Sequence, residues 1–182
     1  MPHSALQPAT VLRGHSADVQ CVCFHPDSHQ RRLYTGDANG VVRIWDLNST
    51  RARTVQAHPR DSGVVHIAFA SRAERLVTQG RDGTVISWAL DAAAAPSSPR
   101  ASFSTRSYHF CKMAVAAGAE CVPEAAVAVA GEDPACATVW DLATARKVIH
   151  VPKTKYGMVM ALSFPTPSKP ILMVGCDHAC SL

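Results

Sequence analysis

GDANGVVRIWDL, at residues 36–47, joins an Asn-Gly turn to a β-branched, alternating run that stops on Trp-Asp. Asn-Gly supplies the positive φ of a tight hairpin, and the residues after it alternate as a half-buried strand does. The pattern returns as GRDGTVISWAL at residues 80–90, which sets Trp45 and Trp88 43 residues apart. Gly14-His15 and Ala57-His58 keep the same interval. Between each His and its Trp lie matching parts. An apolar strand comes first (VQCVCFHP, 19–26; VVHIAFA, 64–70), then a Thr-bearing strand (RLYTGD, 32–37; RLVTQG, 75–80), a polar turn and the strand that closes on Trp.

A unit of about 40 to 45 residues that opens on Gly-His and closes on Trp-Asp resembles the WD repeat, which builds four strands per propeller blade. A third unit ends in ATVWDL from residue 137, and a fourth runs through RKVIHVPKTKYGMVMALSFP (146–165) and PILMVGC (170–176). The expected fold is all-β: a WD-repeat β-propeller, with about three and a half blades of a longer, seven-bladed ring. Blade 1 is placed at 10–50, blade 2 at 51–91, an exposed linker at 92–100, blade 3 at 101–145 and an incomplete blade 4 at 146–182. The linker rests on the Ala, Pro and Ser of DAAAAPSSPR. CDHACSL follows where another turn and strand are due, so the sequence reads as a truncated isoform whose last residues leave the pattern.

The net charge of +4 comes from Arg and Lys placed singly or in pairs such as Arg31-Arg32. No cluster tracks a phosphate backbone, so a nucleic-acid-binding module is only an alternative reading, beside that of a nonfunctional truncated isoform. No apolar core precedes the first charge of MPHSALQPATVLRGH, and Glu120, Pro123 and Glu124 interrupt the one long Ala/Val run; the expected location is intracellular, nuclear or cytoplasmic. Seven cysteines without framework spacing suit a reducing compartment.

His15, Thr35, Asn39 and Trp45 recur as His58, Thr78, Asp82 and Trp88. A hydrolase would use Thr78 as nucleophile and His58 as base. In the WD-repeat pattern the two sets instead form hydrogen-bonded tetrads that fix blade geometry, so no catalytic residue is expected. Asn39 in place of Asp should weaken the first tetrad while keeping its turn. Cys21, Cys23 and His25 alternate along one strand, and Cys176, His178 and Cys180 would do so in an extended tail. Neither set offers the four ligands and spacing of a zinc site, so no metal and no cofactor are expected. Gly80 and Gly83 flank a turn between strands, where a phosphate loop would lead into a helix.

A narrower resemblance rests on GRDGTVISWAL, YHFCKMAVAAG (108–118), PKTKYGMVMALSF (152–164) and PILMVG. These pieces are similar to the guanine nucleotide-binding protein β-subunit-like family, which includes the ASTRA-associated WD-repeat proteins. The resemblance implies a non-enzymatic adaptor of multi-protein assemblies, tied to chromatin or to the maturation of phosphatidylinositol-3-kinase-related kinases. Its partners would be proteins, with no small-molecule substrate. A partnering N-terminal helix and a Trp-Asp-x-Arg motif are both missing from the pattern, so neither γ-subunit binding nor a cullin-ligase role is implied. Loop residues Arg60, Asp61 and Arg81 are the expected partner contacts.

Overall fold

The computed structural model describes residues 10–70, 75–108, 110–117, 125–153, 155–164, 171–177 and 180–181. Four antiparallel sheets follow one another along the chain. The first holds β1 (Val19–Phe24), β2 (Arg32–Asp37), β3 (Val41–Asp46) and β4 (Ala52–Gln56) in chain order. The second holds β5 (Val64–Ala70), β6 (Arg75–Gly80), β7 (Thr84–Leu90) and β8 (Pro96–Ser104). The third holds β9 (Ala114–Ala117), β10 (Ala125–Ala130), β11 (Ala137–Asp141) and β12 (Arg146–Val151). The fourth has three strands, β13 (Val159–Ser163), β14 (Met173–Cys176) and β15 (Cys180–Ser181). One 3-10 turn, Ser28–Gln30, interrupts the strands of the first sheet.

Each hairpin closes for a local reason. Gly40 and Gly83 adopt φ of +74° and +77° in the turns before β3 and β7. After the Trp strand, a carboxylate bends the chain back: Asp46 Oδ1 accepts from the amides of Asn48 and Ser49, and Asp141 Oδ1 from that of Ala143. In the second sheet Ala89 follows the Trp, and Asp91 takes over the task by accepting from the amides of Ala93 and Ala95.

Those turns correct the sequence-based boundaries. Residues 96–100, expected in an exposed linker, are the first half of β8, and Ala94, Ala95 and Pro96 are buried. The alanines are small enough to lie beneath the first sheet, where the Tyr34 hydroxyl donates to the Ala94 carbonyl. β12 pairs with β11, so 146–151 complete the third sheet and do not open the fourth. Past Gly175, Gly175 and Val174 pair with Cys180 and Ser181, so part of the tail continues the sheet pattern.

The sheets pack face to face, with β5 against β1 and β2, β9 against β5, and β13 against β9 and β10. First strands therefore lie next to first strands, and the sheets fan out from them as blades. Between the first two blades, Ile67 and Leu76 bury against Cys21, Tyr34 and Ile44, and the Phe69 ring meets Tyr34 edge-on at 5.2 Å. Between the second and third, Val77 and Phe103 pack with Met113, Val127 and Leu142. β10 reads AAVAVA without alternation, since a strand covered on both faces needs apolar residues on both; all six are buried.

The Gly83 turn lies against the segment entering the third blade. A Cβ there would run into the Thr105 hydroxyl and the Ser107 backbone, whereas one at Gly131 would come no closer than 3.3 Å to its neighbours. Gly83→Ala is expected to destabilise the protein by about 1–3 kcal/mol and Gly131→Ala by clearly less, as measured by urea denaturation.

Candidate functional site

Two groups of residues stand out: the polar chains that tie each blade together, and a cluster of loop side chains at the same end of the sheets. In the first blade His15 is held at both ring nitrogens. Nδ1 lies 2.7 Å from Asp37 Oδ2 and Nε2 lies 2.6 Å from Thr35 Oγ1. The Trp45 indole N–H donates to the same hydroxyl at 2.8 Å. The carboxylate in this chain is Asp37, and the expected Asn39 is replaced in that role. Asn39 sits in the turn, where its backbone amide and that of Val41 donate to Asp37 Oδ1 at 3.0 and 3.1 Å.

The second blade reverses the expected ranking. His58 Nε2 lies 2.9 Å from Thr78 Oγ1, and Trp88 donates to that hydroxyl at 2.9 Å. Asp82, however, accepts from the Thr84 amide and hydroxyl at 3.0 and 2.9 Å. His58 Nδ1 is buried and has no hydrogen bond among the described residues. Gly80 occupies the place of Asp37, and a Cβ there would meet Asp82 Oδ1 and His58 Nδ1 at 2.6 Å each. The blade that carries Asn thus has the complete chain, and the blade that carries Asp has three linked members with a carboxylate nearby.

Burial sets the electrostatics. It drives the His58 pKa down to about 4, against the smaller opposing pull of Asp82. Burial alone would raise Asp82, but the Thr84 and Ser62 hydrogen bonds and His58 bring it below its ordinary value. A hydroxyl already shared by an indole N–H and an imidazole, buried with them, has no open approach for a substrate. Thr78 is fully buried and His58 nearly so. The third blade shows the arrangement without the threonine. Val129 pairs there with Thr138 where Thr78 pairs with Ile86, and Trp140 donates instead to Thr138 Oγ1 in its own strand at 2.9 Å, with its ring stacked on Phe103 at 4.2 Å.

Cys21, Cys111 and Cys136 are buried, and Cys23 and Cys176 partly so. The Cys21 thiol donates to the Val64 carbonyl at 3.2 Å, and burial pushes its pKa up to about 12 and that of Cys111 to about 11. Cys23 is shifted the same way. His178 lies outside the described residues, as do the side chain of Cys180 and any zinc arrangement built on them.

Arg60 and Asp61 are exposed in the loop before β5, and the Arg81 backbone N–H donates to the Gly63 carbonyl at 2.9 Å, so all three expected contacts share one end of the blades. Sequence reading did not place what surrounds Arg81. Its guanidinium lies over the rings of Tyr108 and Phe110, at 4.9 and 4.1 Å from their centres. Both rings are exposed, at 64% and 65%. Gln79, fully buried, fixes the segment beyond them: its Nε2 donates to the Cys111 carbonyl at 2.9 Å and its Oε1 accepts from the Met113 amide at 2.8 Å. Beside the rings lies a cavity of about 250 Å³, lined by Tyr108, Phe110, Pro134, Met158 and Met160 among others.

Four-stranded blades, His-Thr-Trp chains and Gly turns at matching places define a WD-repeat β-propeller architecture. The family model described as WD domain, G-beta repeat matches residues 6–46 and 49–89. Among curated proteins, ASTRA-associated protein 1 of Pyricularia oryzae is 40% identical over 91 residues, which is 50% of this chain and 18% of that protein. Mouse guanine nucleotide-binding protein subunit beta-like protein 1 is 32% identical over 87 residues, 46% of this chain and 27% of that one. The chain thus spans well under a third of either relative. Among solved structures, the computationally designed Ika4 protein superposes with a TM-score of 0.69 at 20% identity over 96% of both chains. The U3-55K structure gives 0.68 at 17% identity, over 91% of this chain and 48% of that one.

Asp37→Ala is expected to cost about 2–3 kcal/mol by leaving His15 and two turn amides without their acceptor, and Asn39→Asp to change stability by less than about 0.5 kcal/mol. Thermal unfolding of the two variants tests this. His58 stays neutral in the folded protein while an unfolded histidine takes up a proton near pH 6.5. Its contribution to stability is complete above about pH 6.5 and is lost as the pH falls toward 4. Denaturant titrations across that window should show falling stability, with a shallower slope in His58→Gln; a residual slope is due to His66, whose pKa burial and Lys112 also lower.

Proposed function

We propose that this protein is a non-enzymatic scaffold that presents one end of its blades to partner proteins within an intracellular multi-subunit assembly. The observation that carries this reading is the Arg81, Tyr108 and Phe110 stack. Large aromatic rings held in the open by a guanidinium, beside an apolar cavity edged by the exposed Met158 and Met160, have the composition of a protein-binding hot spot. Arg60 and Asp61 are exposed in the loop before β5. Gln79 anchors the backbone that follows the rings, at Cys111 and Met113.

The type of assembly follows from similarity. The relatives named ASTRA-associated protein 1 support membership of a complex, and the family resemblance points to one that acts in chromatin or in the maturation of phosphatidylinositol-3-kinase-related kinases. In the two His-hydroxyl pairs, part-buried at His15 and buried at His58, the hydroxyl is also bonded by the indole N–H of Trp45 or Trp88, which favours a scaffold over a catalytic role. Among the described residues no helix is long and apolar enough to cross a membrane.

The test is affinity capture from cells with the wild-type chain and with a doubly substituted Arg81→Glu, Phe110→Ala variant, both checked for folding by circular dichroism. Subunits of a kinase-maturation or chromatin assembly should co-purify with the wild type and fall at least tenfold with the variant, a loss of about 1.4 kcal/mol or more. Equal recovery by both chains would remove this surface from the reading.

A further inference from the structure

The third blade departs from the second at the place where the second is tied together. The register identifies the equivalent residues. Trp88 pairs with Leu76 and Trp140 with Val127, so Val129 stands where Thr78 stands. Thr84 pairs with Ser104 as Val41 pairs with Gln56, so Arg106, two residues past Ser104, stands where His58 stands two past Gln56. His58, Thr78 and Trp88 are all buried, whereas Arg106 is exposed and Trp140 half-buried. A cavity of about 270 Å³ lies here, with Arg106, Gly131, Thr138 and Trp140 among its walls.

The lining of this cavity is rich in donors. Trp140 donates to Thr138 Oγ1 at 2.9 Å and the Arg106 amide to Ser104 Oγ at 3.1 Å, so each hydroxyl keeps its own proton to give. Ser104 and Lys147 line the cavity too. Among the described residues neither Arg106 nor Lys147 is in an ion pair. The one acid of the lining is Glu132, which is exposed and likewise unpaired among the described residues.

Neither cation is explained by the needs of the blade. Arg106 has a φ of +54°, in the left-handed region that glycine and asparagine enter more readily, so the turn itself gives no reason for an arginine. Lys147 pairs with Trp140 across the sheet, where the first two blades set Ala52 beside Trp45 and Pro99 beside Trp88. Directly opposed residues share a face of a sheet, and the Lys147 ammonium lies 5.9 Å from the centre of the Trp140 ring. Two charges from separate elements, the entry segment and the outer strand, thus take the places of neutral groups and line one cavity.

We propose that this cavity is an anion site that takes a phosphate group, carried by free phosphate or by a phosphorylated side chain. Arg106 and Lys147 supply the charge, and the Ser104 and Thr138 hydroxyls donate to its oxygens. Hydrogen bonds from cationic side chains to phosphate oxygens are charge-assisted and of the stronger kind. Glu132 repels the same group and holds the affinity down. The site belongs to the second and third blades, and it does not depend on the Arg81 stack.

The Trp140 indole N–H, bonded to Thr138, reports occupancy by NMR, its signal assigned by its loss in Trp140→Phe. Titration of the isotope-labelled chain with inorganic phosphate, or with an end-blocked Ala-phosphoserine-Ala peptide, should move that signal to saturation. The unphosphorylated peptide should leave it in place. Arg106→Glu and Lys147→Glu change exposed positions, so both chains should fold, and each should bind at least about tenfold more weakly. Glu132→Gln should bind more tightly. Tighter binding of the peptide than of inorganic phosphate assigns the site to a phosphorylated partner segment, and equal or weaker binding assigns it to the free ion. A Trp140 signal that neither probe moves, a shift that both charge reversals leave unchanged, or weaker binding by Glu132→Gln would each overturn the anion site.

Discussion

A blade in this protein has two apolar faces and can bury neither within itself. Everything else in the structure follows from that constraint. Ile67, Phe69 and Leu76 leave water only because Cys21, Tyr34 and Ile44 are held opposite them, and Val77 and Phe103 only because Met113 and Val127 are. Hydrophobic burial is therefore a property of pairs of blades, and stability accumulates by neighbour contacts along the chain. The polar chains at one end serve this packing: they hold the strands of a sheet at a fixed pitch, so that the next sheet finds a flat surface.

In the polar chains, function stays in place while its residue moves. A carboxylate must reach the first histidine, and Asp37 does so from two positions before Asn39. A carboxylate must bend the chain after the tryptophan strand, and Asp91 does so from three positions after Trp88, where Asp46 and Asp141 act from one. An acid side chain in a tight turn reaches several amides from more than one starting point, so position along the repeat is a weak guide to its partner. The hydroxyl of Thr35 or Thr78 is less transferable, because it must meet an indole and an imidazole from one point on a strand. Where Val129 removes it, Trp140 turns to another hydroxyl and to the face of Phe103.

The propeller architecture was legible because its signals are local and repeated: Asn-Gly and Asp-Gly turns, alternating strands, and Trp at a 43-residue interval. Blade limits were less so. A repeat cut at Trp-Asp divides a hairpin that the chain closes immediately afterward, which is why β12 was assigned to the wrong sheet. DAAAAPSSPR has the composition of a loop, yet alanines suit a narrow space under Tyr34 as well as they suit solvent. The polar chains run through Thr35, Thr78, Trp45 and Trp88, which lie on strands, whereas the acid that reaches the first histidine is Asp37 and not the Asn39 of the turn. The stack of Arg81 on Tyr108 and Phe110 joins a turn of one blade to the entry of the next, and no short-range pattern announces such a meeting.

Gln79 also bears on the order of assembly during synthesis. Its amide belongs to the second blade but can be satisfied only by backbone groups at Cys111 and Met113, more than thirty residues later. Until those residues leave the ribosome, a finished second blade carries a polar group that must remain wet. The same amide then becomes the template on which the entry to the third blade is laid. At this junction, then, the second blade holds the side chain that positions the entry to the third.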